Sequence, residues 1–191
     1  RAAAGCGRSF VSFDHQHFLT TYDLASLPPP LCRRAWWMGR FVDAFYRGQS
    51  HSIVSSFYFP PLKPSVRNVR QIGVRLRRSI LEATVEVGRH LLVYLRRFAA
   101  EQTLQTLRGC GCEVHVYGLG ERPREGNVRF FAVDEARFVE SLARCQALIS
   151  NAGNQLVGEA LYLRKPVLAL PEAGNFEQAV NAHFLREGGG G

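Results

Sequence analysis

Chemically capable side chains gather at four places along the 191 residues. Ser150-Asn151-Ala152-Gly153-Asn154-Gln155 sets small and amide residues between an apolar run and an amphipathic one. Small residues let a backbone approach a ligand, and the N–H groups of a helix starting there favour an anion such as a diphosphate. Glu159 follows about one helical turn on, where a carboxylate can accept two hydrogen bonds from a ribose. The plainer alternative for Glu159 is a helix residue facing solvent. After the apolar run 167–170, Glu177 and Gln178 offer acceptors and an amide donor suited to sugar hydroxyls, or simply a polar helix start. Asp14-His15-Gln16-His17 ends the short β-prone run 9–13, and Asp or His can act as a general base. A pair of surface histidines is the competing reading there.

Positioning these groups is the task of the surrounding elements. Residues 9–13 and 51–59 predict strands. Between them, Pro28-Pro29-Pro30 precedes a helix over 31–47 in which Trp36, Trp37, Phe41, Ala44 and Phe45 recur at helical spacing. Such a stripe is expected to be core, although its mixture with Arg33, Arg34 and Arg40 also suits a membrane interface. Pro60, Pro61 and Pro64 mark a domain boundary near Pro64, dividing residues 1–64 from 65–191. Beyond it strands and helices alternate: strands at 91–95, 113–117, 128–131, 147–150 and 167–170, helices at 99–108, 135–145, 155–163 and 176–186. That order predicts a parallel sheet covered on both faces, with ligands at the carboxyl ends of its strands. The chain is expected to be truncated, because it stops where a further element should follow.

Composition narrows the function classes. With 46% hydrophobic residues the chain can bury a core, and no run approaches the roughly 20 apolar residues of a membrane span. Five cysteines, two of them in Cys110-Gly111-Cys112, match neither a disulfide framework nor zinc-ligand spacing, so a reducing cytoplasm is expected. The net charge of +8 is uneven, with +7 in residues 61–110 and −2 in residues 111–191. That basic stretch carries only Tyr94 and Phe98 as aromatic neighbours, which argues against a nucleic-acid partner. No acidic cluster suggests a catalytic metal, and no cofactor is called for.

Taken together, the run 149–188, with Ser-Asn-Ala-Gly-Asn, Glu-Ala-Leu, Lys-Pro-Val-Leu-Ala-Leu-Pro, Glu-Gln and Asn-Ala in order, resembles the donor-binding signature of GT-B glycosyltransferases. It is most similar to MurG-type enzymes, which add N-acetylglucosamine to lipid-linked acceptors, and to uncharacterised microbial relatives. The resemblance implies a Rossmann-like α/β donor domain over residues 65–191, preceded by a remnant of the acceptor domain. Ser150, Asn151, Ala152, Gly153 and Asn154 would bind the donor diphosphate, Glu159 the ribose, and Glu177 and Gln178 the donor sugar. The loop Phe131-Ala132-Val133 would receive the base edge. Arg96-Arg97-Phe98 stands where MurG-type proteins carry a Gly- and Ser-rich turn, and either arginine can contact phosphate instead. Asp14 and His15, in a motif similar to one in the acceptor half of those relatives, would supply the base. The implied reaction is an inverting, metal-independent transfer from a nucleotide-diphosphate sugar, UDP-linked by this resemblance, to an acceptor that is lipid-linked at a membrane surface. The fragment alone is expected to be inactive. A sugar-nucleotide 2-epimerase, which shares the fold, and a non-catalytic module that binds nucleotide-sugar or recruits an enzyme are the alternatives.

Overall fold

Two segments of the chain bury enough apolar surface to form separate compact units, Arg1–Arg75 and Leu76–Gly191. The computed structural model describes residues 9–46, 48–95 and 97–190, with the backbone alone at 97–99. The division lies beyond Pro64 because a strand after that proline belongs to the first unit.

In the first unit three strands, β1 (Val11–Asp14), β2 (His51–Ser55) and β3 (Val69–Ile72), pair in parallel in the order β1-β2-β3. A short helix α1 (Phe18–Thr21) and a long one, α2 (Pro29–Phe45), connect β1 to β2. Pro29 starts α2 because a proline in the first helical turn forfeits no intrahelical hydrogen bond. Phe18, Tyr22, Val54 and Tyr58 form the core, with the Phe18, Tyr22 and Tyr58 rings meeting edge-on or tilted at 6.1–6.4 Å. Tyr58 turns inward to join them, so β2 ends at Ser55 and does not run on to residue 59.

The aromatic stripe of α2 is not core. Its buried face is Ala35, Gly39 and Val42, while Trp36, Trp37, Phe41 and Phe45 are 58–63% exposed. Close approach selects the small face: a Cβ on Gly39 would stand 3.2 Å from the Leu19 carbonyl oxygen of α1.

The second unit carries a six-stranded sheet. Its strands are β4 (His90–Tyr94), β5 (Glu113–Tyr117), β6 (Arg122–Glu125), β7 (Val128–Phe131), β8 (Ala147–Ser150) and β9 (Val167–Ala169), in the order β6-β7-β5-β4-β8-β9. All pairings are parallel except β6 with β7. The mixed α/β architecture with a parallel-dominated sheet is therefore as expected, with an antiparallel strand added at one edge. The helices are α3 (Arg78–Leu81), α4 (Arg97–Leu107), α5 (Glu135–Arg144), α6 (Asn154–Tyr162) and α7 (Phe176–Glu187). Val93, Leu95, Val114, Val116, Val128 and Phe130 pack against Ala100 and Leu104 of α4. Within each pair, 93 and 95, 114 and 116, 128 and 130, the residues stand two apart and so face the same side, as the two-residue period of a strand requires.

Candidate functional site

Strand order fixes where this sheet can hold a ligand. From β4 the chain runs outward through β5 to β7, then returns to lay β8 against the other side of β4. The connections leaving β4 and β8 therefore diverge, and ligands of open α/β sheets collect in the crevice at such a point, beyond the carboxyl ends of the strands. Tyr94 and Ser150 are register partners at that edge. The two loops that leave it hold Arg96-Arg97 and Ser150–Asn154. Arg96 lies outside the described residues, and Arg97 is the first residue of α4.

The Ser150–Asn154 turn is built from inside. Asn151 Nδ2 donates to the Leu170 carbonyl at 2.9 Å, and the fully buried Asn181 Nδ2 donates to the Ala152 carbonyl at 2.9 Å. The Ala152 N–H reaches the Ser150 hydroxyl at 3.3 Å. Ala152, with no exposed surface, is held at φ 59°. This left-handed conformation costs an alanine roughly 1 kcal/mol, so the surrounding hydrogen bonds over-determine it. The neighbouring glycine, Gly153, adopts an ordinary φ of −67° and is exposed. Its value is space: a Cβ placed there meets nothing within 4 Å.

Gly153 also stands at the N-cap of α6 and offers no side chain to its amides. The helices on either side in the chain are capped. Asp134 accepts from Arg137 N at 2.9 Å at the start of α5, and Asn175 accepts from Gln178 N at 3.2 Å at the start of α7. The helix at the switch point thus presents its positive end without a side-chain cap, which favours an anion there.

Glu159 points inward from α6 and is 1% exposed. Arg77 grips it with a two-pronged contact, Nε to Oε1 at 2.9 Å and Nη2 to Oε2 at 2.6 Å, and Gln155 Nε2 adds a bond to Oε1 at 2.9 Å. A carboxylate has about four acceptor positions. Three are in use, so one acceptor position remains, and a second opens only where Arg77 yields. Arg77 itself is 37% exposed and lies 3.7 Å from a Glu135 oxygen. Sequence reasoning missed Arg77 because it sits 82 positions from Glu159 in a basic stretch that reads as solvated surface.

Gln178 is buried, and its Oε1 accepts from the Glu172 N–H at 2.8 Å, shaping the loop after β9. Glu177, half-buried, shares the first turn of α7. At the end of β7, Phe131 stacks on Tyr117 at 5.1 Å, and Val133 beyond it is 65% exposed. Phe131 is the last residue of β7, Val133 lies in the loop that follows it, and Glu177 and Gln178 open the helix that follows β9.

In the first unit, the polar quartet stands at the carboxyl end of β1, and there Asp14, one of the two candidate bases, is paired with His17. Asp14 Oδ1 accepts from the His17 N–H at 2.9 Å, and Oδ2 meets His17 Nδ1 at 2.6 Å. The hydrogen bond that His17 donates to Asp14 raises the His17 pKa against the opposing effect of burial. Burial pushes Asp14 up, but the side-chain and backbone hydrogen bonds from His17 outweigh it and leave it below its ordinary value. His17 is 2% exposed and its Nε2 lies 3.0 Å from Gln49 Nε2. His15 turns its Nδ1 to the Ser55 carbonyl at 2.9 Å, which makes Nδ1 the protonated nitrogen and leaves the ring's lone pair on Nε2. Among the described residues, no three His, Cys, Asp or Glu side chains gather as a metal site, and no helix is long and apolar enough to cross a membrane.

Comparison with known proteins accords with this geometry. Residues 6–191 match the family described as Glycosyl transferase family 1. The chain belongs to that family. Among solved structures, the glycotransferase of kitacinnamycin aligns with a TM-score of 0.60 at 16% identity, covering 99% of this chain and 58% of that one. The spinosyn forosaminyltransferase SpnP aligns with a TM-score of 0.55 at 13% identity, covering 97% and 56%. At these identities the likeness shows the shared GT-B fold. The family 1 chain spans less than two thirds of the length of either protein. A search of curated proteins finds no match.

Proposed function

We propose that this chain is the donor-binding half, with part of the acceptor half, of a glycosyltransferase that moves a sugar from a nucleotide-diphosphate donor to an acceptor with inversion and without a metal. One observation carries the reading: the side-chain-free N-terminus of α6 at the switch point between β4 and β8, beside the strained and buried Ala152. The leaving diphosphate needs positive charge in a fixed position. In this reading the α6 amides around Gly153 and Asn154 supply it, together with Arg96 or Arg97. Glu159 accepts a ribose hydroxyl at its remaining position, Glu177 and Gln178 face the sugar, and the loop from Phe131 to Val133 borders a uracil base. On the acceptor side, Asp14 or His15 takes the hydroxyl proton, with His17 holding Asp14 ionised. The division of labour between an acceptor-side first unit and a donor-side second unit follows the same proposal. An acceptor presented at an anionic membrane surface, met from the cytoplasm, suits the exposed aromatic face of α2 with Arg33 and Arg40 beside it.

Calorimetric titration of the chain with UDP, UMP and uridine tests the site. UDP is expected to bind tightest, and Gly153→Ala to weaken it about tenfold, or about 1.4 kcal/mol, by filling the space the diphosphate needs. Equal affinity for UDP and uridine, or no response to Gly153→Ala, would falsify the diphosphate assignment.

A further inference from the structure

Cys110-Gly111-Cys112 lies at the opposite edge of the second unit, just before the amino end of β5, and the sugar chemistry leaves it unused. The two sulfurs are 3.3 Å apart. Two peptide links hold the Cα atoms within about 7 Å, and the bend at Gly111, with φ 78°, turns both side chains to one side. Asn127 locks this turn. Its Nδ2 donates to the Leu107 and Cys112 carbonyls at 3.0 and 2.9 Å and approaches Cys110 Sγ at 3.5 Å, while its Oδ1 accepts from the Gly109 N–H at 3.1 Å. Cys110 is exposed and Cys112 half-buried. A depression of about 690 Å³ opens beside them, bordered by Cys112, by Arg108 and Arg124, and by Glu113 and Glu125, with Arg108 paired to Glu101 and Glu125. That volume accommodates a molecule of tripeptide size.

The two thiols are unequal. Hydrogen bonding with the Cys112 backbone lowers the Cys110 pKa, whereas burial and then the neighbouring sulfur raise that of Cys112. Cys145, by contrast, is buried and pushed up to about 11.

We infer that Cys110 and Cys112 form a redox-active dithiol that reduces low-molecular-weight disulfides and closes into an intramolecular disulfide. The Cys110 thiolate attacks one sulfur of the small disulfide, breaking its S–S bond, forming a mixed disulfide and expelling one thiolate, which takes a proton from solvent. Cys112 then loses its proton to solvent and attacks Cys110 Sγ, which expels the second small thiolate. The protein loses two electrons and two protons, and one small disulfide becomes two thiols.

Glutathione disulfide is the probe, added to the reduced chain under native conditions. Trypsin releases residues 109–124, which hold both cysteines and no other. Mass spectrometry is expected to show this peptide losing two hydrogens without retaining glutathione, at least about tenfold faster than Cys32 is modified. Cys112→Ser should trap one glutathione on Cys110. Cys110→Ser should slow modification of Cys112 about tenfold relative to Cys110 in the trapped variant. In urea that advantage should vanish, because it comes from the folded turn. Both variants are surface changes whose folding is checked by circular dichroism. Retention of glutathione by the wild-type peptide, equal rates in the two variants, or an advantage that persists in urea overturns the inference.

Discussion

Two polar loops leave the carboxyl ends of parallel strands in this protein, and they treat their charges in opposite ways. After β1, Asp14 and His17 satisfy each other three residues apart, with the imidazole buried and the carboxylate about one-third exposed. After β8, the turn through Ala152 spends its side-chain hydrogen bonds on holding the backbone, and leaves the α6 terminus without a cap. Its carboxylate, Glu159, is satisfied from a distance by Arg77. A loop that closes on itself is stable locally, whereas one that holds its backbone strained and uncapped depends on the rest of its unit. The second arrangement is the one a bound anion completes.

Removing the distant partner should produce the largest effect. Arg77→Ala strands Glu159 with Gln155 alone, and unpairing a buried charge costs about 3–5 kcal/mol, reduced to about 2–4 here by the exposure of Arg77. Native-state hydrogen exchange of the α6 amides reads this loss. The double variant Arg77→Met with Glu159→Met should recover most of it, since apolar replacement of a buried pair is often neutral. A loss below about 0.5 kcal/mol in the single variant would mean that water reaches Glu159 and the pair is not structural.

The local dyad should give a smaller and pH-dependent effect. His17 has a folded pKa above its ordinary 6.5, so its contribution is complete below about 6.5 and disappears as pH rises through the elevated value. Asp14 is shifted below 3.8, so its contribution is present above 3.8 and is lost as pH falls through the depressed value. The first unit should therefore be most stable between about pH 4 and 6.5. Fluorescence of Trp36 and Trp37, the only tryptophans and both on α2, follows its unfolding. His17→Gln should cost about 1–2 kcal/mol inside that window and flatten the profile across it. A profile of unchanged shape in the variant would separate the dyad from the pH response.

The smallest effects concern the turn itself. Ala152→Gly removes the strain at φ 59° and should stabilise the second unit by about 0.5–1 kcal/mol. Gly153→Ala should shift stability by less than about 0.5 kcal/mol, because the poorer N-cap and the stiffer unfolded chain offset each other. Thermal unfolding of both variants distinguishes strain at one residue from open space at the next. Destabilisation by Ala152→Gly would show that the strained backbone is not where the turn stores energy.

Sequence alone carried the second unit well. The start of α5 followed from Asp134, whose short side chain caps locally, that of α7 fell at the expected residue 176, and β5, β7 and β8 came from short β-prone segments between polar residues. Those signals are complete within a few residues. Strands β3 and β6 escaped because Val-Arg-Gln-Ile and Arg-Pro-Arg-Glu lack an apolar run. β6 is fully exposed, and its antiparallel pairing with β7 supplies the order. The aromatic stripe of α2 carries helical period, but periodicity states only that one face differs from another. Packing against α1 chose the face of Ala35, Gly39 and Val42 for burial.

The candidate site divides along the same line. Local composition located the loop at Ser150–Asn154, the carboxylate at Glu159 and the polar quartet after β1, since small, amide and titratable residues at strand ends are visible in one dimension. Tertiary structure alone decided that Ala152 and not Gly153 takes the left-handed turn, that Asp14 pairs with His17 and not His15, and that Arg77 occupies Glu159. Each of these outcomes depends on which groups share a buried volume. A hydrogen bond there is selected by distance and desolvation, and the 82 residues between Arg77 and Glu159 hold no trace of it until the chain has folded.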